Sequence, residues 1–279
     1  MGIRHALVTL AKRGVKLALL PAAIARRERR PGLYVLIYHR VGAGMQAEMD
    51  LPTAAFARHL DLLRDGREVV RLREGLERLE GGTLDRDLVA VTFDDGYADV
   101  HEQAWPLLRA REIPSTLFLA TGFLDGDVAP PISPGVERPG AAPARPLRWE
   151  DIRAMTESGL VDVGSHTVTH PDFDGIDADR AERELVDSKR VIRERLGIDV
   201  ELFAYPRAVV GHADLVGRHY RWALGGEGPK NVAGETDRLR VQRTPVRASD
   251  GVFFLRRRLK GAAPLEDRLY ARLRNRTSS

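Results

Sequence analysis

The sequence predicts a single-domain α/β fold of barrel size, and three observations predict it. The chain has 279 residues, near the usual length of one α/β barrel and long enough to bury a substantial core. Short apolar or β-branched runs alternate with charged, amphipathic stretches, one strand–helix unit after another. No second domain boundary interrupts that alternation.

The elements follow in order. Residues 1–30 carry eight Lys/Arg against one Glu around an apolar run at 15–25 that Pro21 breaks. That run is too short to span a bilayer and has no clear small-residue cleavage site. It is read as a basic amphipathic helix suited to a membrane surface. Residues 34–38 (YVLIY) form a strand ending at His39. Residues 56–64 have helical spacing after an expected N-cap at Thr53. Residues 89–93 (VAVTF) are a buried strand that runs into Asp94-Asp95-Gly96, followed by a helix over 99–111. A further strand spans 115–120. Residues 125–146 hold six prolines and no hydrophobic period, so they form a long loop near the strand ends. Then come a helix at 149–157, a strand at 161–164 delivering Ser165-His166, a helix at 178–196 closed by Gly197, and a strand at 202–205.

Composition narrows the function. With 43% hydrophobic and 30% charged residues the chain is globular rather than disordered. It has no cysteine, which excludes disulfides, thiolate nucleophiles and cysteine-ligated zinc. The net charge of +4 is uneven: residues 255–279, a basic tail with eight Lys/Arg against two acids, match the basic start, and residues 31–254 are net acidic. Basic ends fit an anionic surface. A nucleic-acid partner is disfavoured, because the candidate site lies in the acidic middle and no nucleic-acid motif appears.

Polar clusters stand just past the strands, where parallel α/β folds place their sites. They are Asp94-Asp95, His166-Thr167-Val168-Thr169-His170 and Tyr38-His39. The two histidines are four apart, but the β-branched residues between them and Pro171 after them exclude a helix. They sit on a loop, and no glutamate adjoins His166, so a base must come from elsewhere. One assignment gives Asp95, His166 and His170 to a zinc-like cation, with positions left open for water and substrate. Asp94 then takes the proton from that water. A two-His-one-carboxylate iron enzyme uses the same donors. A two-carboxylate glycosidase does not fit, because adjacent aspartates cannot flank a sugar.

TFDDGYAD (92–99), GSHTVTHP (164–171) and YHRV (38–41) resemble the motifs of the polysaccharide deacetylases, carbohydrate esterase family 4 with its NodB homology domain. Residues 105–124, 147–159 and 184–197 resemble the family's connecting sequence, and the likeness covers roughly residues 33–245. The resemblance implies a distorted barrel of about seven parallel strands, a divalent metal, usually zinc, and removal of N-acetyl groups from a glycan. It implies that Asp94 is the catalytic base and that Asp95, His166 and His170 are the metal ligands. The early YHRV segment is similar to the circularly permuted poly-N-acetylglucosamine deacetylases, which implies that His39 is the general acid. Arg243, in VQRTPV (241–246), resembles the family's late arginine segment, which implies that it orients Asp94. After FAYP (203–206) the family commonly has Tyr-Gly, whereas here Arg207-Ala208 follow. The oxyanion donor there is a backbone N–H, so Tyr205, Pro206 and Arg207 are expected at the substrate; Trp222 and Trp149 are candidate sugar-site walls, with core packing the stronger reading for either alone. An impaired, glycan-binding relative is the alternative that Arg207 keeps open. The expected partner is an N-acetylated glycan, with peripheral membrane contact through the basic ends and a place at the cell envelope. Oligomeric state and the side of the membrane are not read from the sequence.

Overall fold

The structure, a computed structural model, describes residues 30–45, 47–131, 144–228 and 230–259. The basic helix expected over residues 1–30 and the tail beyond 259 fall outside this description, apart from Arg30. Seven strands form the frame: β1 (Gly32–Tyr38), β2 (Leu88–Phe93), β3 (Ser115–Leu119), β4 (Val161–Ser165), β5 (Leu202–Ala204), β6 (Trp222–Glu227) and β7 (Val241–Pro245). Each pairs in parallel with the next, and β7 returns to β1 through Leu36–Thr244 and Ile37–Pro245, closing the ring. The expected seven-stranded parallel barrel is what the chain forms.

The barrel is uneven. β5 has three residues, and β4 meets it through the single pair Ser165–Phe203. Between Leu224–Val241 and Glu227–Arg243 the register of β6 against β7 shifts. The extra residue falls on β6 at Gly225-Gly226, where Gly226 has φ 81° and a Cβ on Gly225 would lie 2.6 Å from the Tyr205 ring. A bulge of this kind re-aims the side chains beside it.

Strand alternation divides the core. Leu33, Val35, Ala90, Phe118, Ala204 and Leu224 fill the ring. Tyr34, Leu36, Val89, Val91 and Phe203 face outward under the helices. Because both faces are covered, the strands read as unbroken apolar runs. The helices are α1 (Thr53–Gly66), α2 (Leu72–Glu80), α3 (Trp105–Arg109), α4 (Thr121–Asp125), α5 (Trp149–Glu157), α6 (Ala178–Leu196), α7 (Ala213–His219) and α8 (Val252–Arg258). Helix α2 closes the end of the barrel where the strands begin: Leu72, Leu76 and Leu79 join Leu33 and Trp222 in the inner cluster.

The bounds of α5 and α6 match the sequence reading, and Gly197 ends α6 at φ 75°. Other expectations need correction. Pro52, not Thr53, is the N-cap of α1; Thr53 is already helical, and its hydroxyl reaches Gln103 at 3.4 Å. The stretch after Asp99 opens as a π turn (Val100–Ala104) before α3. Residues 255–259 are not tail. Leu255 and Arg258 are buried, α8 packs on α1, and Arg67 donates to the Leu259 carbonyl at 2.8 Å. Among the described residues no helix is long and apolar enough to cross a membrane.

One core group makes stability depend on pH. His59 on α1 is fully buried, its Nε2 3.2 Å from the Asp250 carbonyl. Burial pushes its pKa down to about 4, against partial relief from Asp250. The unfolded chain therefore binds this proton more tightly than the folded one. The contribution is complete above about pH 6.5 and is lost as pH falls toward 4, amounting to about 3 kcal/mol. Urea titrations between pH 7 and 4 should show a shallower stability loss in His59→Gln than in wild type; parallel slopes would contradict this.

Candidate metal centre and active site

The site lies at the end of the barrel where the strands finish. The turn after β2 runs through two left-handed residues, Asp95 (φ 75°) and Gly96 (φ 91°). Asp tolerates this conformation better than most residues, and Gly96 has Leu124 2.9 Å from where a Cβ would stand. Reversing the chain at Asp95 brings both carboxylates to the same side, where a regular strand would point them apart. Asp94 and Asp95 are 3% and 2% exposed.

From β4, His166 and His170 arrive on a loop with two more left-handed residues, Thr167 (φ 70°) and His170 (φ 51°). His166 is buried, and its Nδ1–H donates to the Ala204 carbonyl at 2.7 Å, a bond only the Nδ1-protonated form can make. That bond leaves Nε2 to face the carboxylates, 3.5 Å from Asp95 Oδ1 and 3.8 Å from Asp94 Oδ2. His170 Nε2 is 3.7 Å from the same Asp95 oxygen. Asp95, His166 and His170 each offer one donor atom, all within 4.8 Å of one another. Zinc held at about 2.0–2.2 Å by tetrahedral ligands separates its donors by roughly 3.3–3.6 Å. Asp95 Oδ1 is buried with no hydrogen-bond partner. A buried, orphaned carboxylate oxygen facing two imidazole nitrogens fits a divalent cation.

Asp94 is held differently. Arg243, 1% exposed inside the barrel on β7 beside the bulge, donates from Nη1 to Asp94 Oδ1 at 2.8 Å. Its guanidinium lies 5.7 Å from the Phe118 ring centroid. Burial alone would raise the Asp94 pKa, but Arg243, His166 and His39 together hold it below the usual carboxylate range. Asp95 behaves likewise: burial opposes ionisation, and His166, His170 and His39 overcome it. Burial and the charge of His166 push His170 down to about 4, so it stays neutral and able to ligate at pH 7. His39, half-buried, leaves β1 beside Asp94, whose amide donates to the Tyr38 carbonyl at 3.1 Å.

The segment after β5 forms another wall. Arg207 and Ala208 both turn left-handed, at φ 55° and 58°. Ala208 and Val209 bond back to Tyr205 and Pro206, a turn in which the Arg207 amide takes no part. The Arg207 side chain pairs with Asp172 at 2.7 Å at the mouth, and its charge helps depress His170. Ala208 carries strain that a glycine would not. Ala208→Gly is expected to raise stability by about 0.5–1 kcal/mol, measured as a higher unfolding midpoint; a lower midpoint would sink that expectation.

Some expected residues lie elsewhere. The Tyr205 ring is buried in the outer core against Phe173 and Phe203, so only its backbone can line the site. Trp222 is the first residue of β6, 1% exposed and stacked under Arg221, at the opposite end of the barrel from Asp94. Parallel strands fix that separation, and Trp222 is no wall of this site. Two groupings went unread in the sequence. Arg40 and Asp99, inside the quoted motifs, form a buried pair at 2.7 Å, and Asp99 also accepts from the Val41 amide at 2.8 Å. This fastens the segment that carries His39. Glu184, on the buried stripe of α6, reaches the His166–His170 loop.

The parallel barrel thus carries a carboxylate–imidazole cage at its C-terminal mouth. The family model described as Polysaccharide deacetylase matches residues 81–214, which hold Asp94, Asp95, His166 and His170. YxkH of Bacillus subtilis (strain 168) is 24% identical over 187 residues, 66% of this chain and 60% of its own. The poly-beta-1,6-N-acetyl-D-glucosamine N-deacetylase of Escherichia coli (strain K12) is 28% identical over 143 residues, 49% of this chain and 20% of its own. The chain thus spans 60% or less of these curated relatives. The structure of IcaB from Ammonifex degensii superposes with a TM-score of 0.65 at 26% identity, covering 84% of this chain and 98% of that one. The family model, the two curated relatives and the solved structure all support the polysaccharide deacetylase family for this chain.

Proposed function

We propose that this chain hydrolyses N-acetyl groups of an N-acetylated sugar polymer or oligosaccharide, with zinc held by Asp95, His166 and His170. The observation that carries this reading is the pairing of an orphaned Asp95 oxygen, facing two imidazoles, with a second carboxylate that Arg243 keeps ionised. When bound there, a divalent cation polarises the acetamide carbonyl and acidifies a neighbouring water. Asp94 takes the proton as that water attacks, with Arg243 fixing the carboxylate's direction. The Arg207 amide, unused in its own turn, donates to the carbonyl oxygen as charge develops on it. His39, facing Asp94 from the neighbouring strand, protonates the departing amine.

The E. coli relative's name supports a glucosamine polymer as the substrate class, and a place at the cell envelope follows from that class. The basic charge of residues 1–30 adds contact with an anionic membrane. Zinc-loaded protein incubated with N-acetylated glucosamine oligomers should yield products lighter by one acetyl group, read by mass spectrometry, with acetate released. No acetate from any acetylated oligosaccharide, with zinc shown to be bound, would end the enzymatic reading.

A further inference from the structure

The loop that carries both histidines is poorly suited to hold itself in place. Thr167 and His170 turn left-handed without being glycine, at φ 70° and 51°, with β-branched Val168 and Thr169 between them. Each such residue costs on the order of 1 kcal/mol or more unless its surroundings enforce it. The enforcement comes from two sides. From α4, the Thr121 and Gly122 amides donate to the carbonyls of Thr167 and Val168 at 3.1 and 2.9 Å. From α6, Glu184 answers with its carboxylate: Oε2 accepts from the Val168 amide at 2.8 Å and the Thr169 amide at 2.9 Å, and Oε1 accepts from the Thr169 hydroxyl at 2.5 Å.

Glu184 is 5% exposed and shares the inward stripe of α6 with Ala181, Leu185, Ser188 and Ile192. An acidic side chain is costly at such a position unless its oxygens are satisfied. Here the peptide amides between the two histidines satisfy them. Inside the loop, the Thr167 hydroxyl accepts from the His170 amide at 3.0 Å, so a shift at Val168 or Thr169 is passed to His170.

We infer that Glu184 is a positioning residue for the metal cage. By clamping the peptide between His166 and His170 it sets the distance between their Nε2 atoms, and so the cage's affinity for its cation. This rests on the metal-cage reading above. Glu184 touches neither the cation nor the substrate, and it acts only through the loop backbone. A glutamine keeps one oxygen for the two amides and can turn its NH₂ toward the Thr169 hydroxyl, so it preserves the clamp with weaker bonds. A leucine of similar volume removes it.

The test is zinc affinity, measured by chelator competition on metal-stripped full-length protein, beside the unfolding midpoint of the same stripped protein. Glu184→Leu should weaken zinc binding about 10–100-fold, and Glu184→Gln should stay within about fivefold of wild type. A purely structural role would lower the stripped protein's midpoint and leave affinity unmoved. Folded Glu184→Leu that binds zinc within twofold of wild type would overturn the inference. Should Glu184→Leu fail to fold, Thr169→Val decides: it deletes only the hydroxyl contact, a threefold or greater loss of affinity supports the clamp, and an unchanged value refutes it. Wild-type protein that binds no zinc would remove the cage reading and this inference together, whereas normal wild-type binding with unaffected variants removes only this one.

Discussion

Asp94→Asn lowers turnover by about 10²–10⁴-fold while the protein still binds one zinc, because the amide cannot accept the proton that a carboxylate takes. The two aspartates are neighbours, yet the structure gives them different surroundings. Asp95 presents an oxygen with no partner to His166 and His170, and Asp94 spends one oxygen on Arg243. An asparagine can keep that contact, since its carbonyl oxygen also accepts from Nη1. The site should therefore keep its shape, and KM should change far less than kcat. Metal content after dialysis and steady-state rates on an acetylated oligomer check this. Zinc loss in proportion to activity would mean that Asp94 is a ligand. Near-normal rates would mean that the base is another group.

His166→Ala behaves in the opposite way, with zinc retention and turnover lost together. His166 is the most enclosed member of the cage, tied to Ala204 behind and facing both aspartates in front. Burial pulls its pKa down, but the two carboxylates outweigh that and raise it, so it is the group that moderates their mutual repulsion when no cation is bound. Alanine leaves the Ala204 carbonyl without its histidine donor and the carboxylates facing each other, with Arg243 the cation still hydrogen-bonded to Asp94. The metal-free variant should be less stable than metal-free wild type by about 1–3 kcal/mol. Elemental analysis and a denaturant titration read the two effects, and a variant that keeps stoichiometric zinc would dismiss the cage.

Much of this molecule was legible in one sequence. The strands are buried on both faces, so their apolar runs stood out, and the charged stripe of α6 ended at a glycine that now shows its left-handed φ. The cluster of candidate residues was legible because parallel strands deliver polar side chains at one end, so Asp94, Asp95 and His166 marked themselves by following apolar runs. What escaped depends on pairing across distant segments. Glu184 looked like one more charge on a charged helix, although its place on the inward stripe was a signal. The Arg40–Asp99 pair joins segments 59 residues apart. Trp222 was misjudged because an aromatic at the start of a strand and one at its end look alike until the barrel's direction is known.

The described chain enters at Arg30, two residues before β1 begins, and leaves at Leu259, tied to Arg67 where α1 ends. Both points lie at the floor of the barrel, under the end that α2 closes. A tether or tag grown from either point would hold the molecule by its base, leaving the end that carries Asp94 and Asp95 turned away from the attachment.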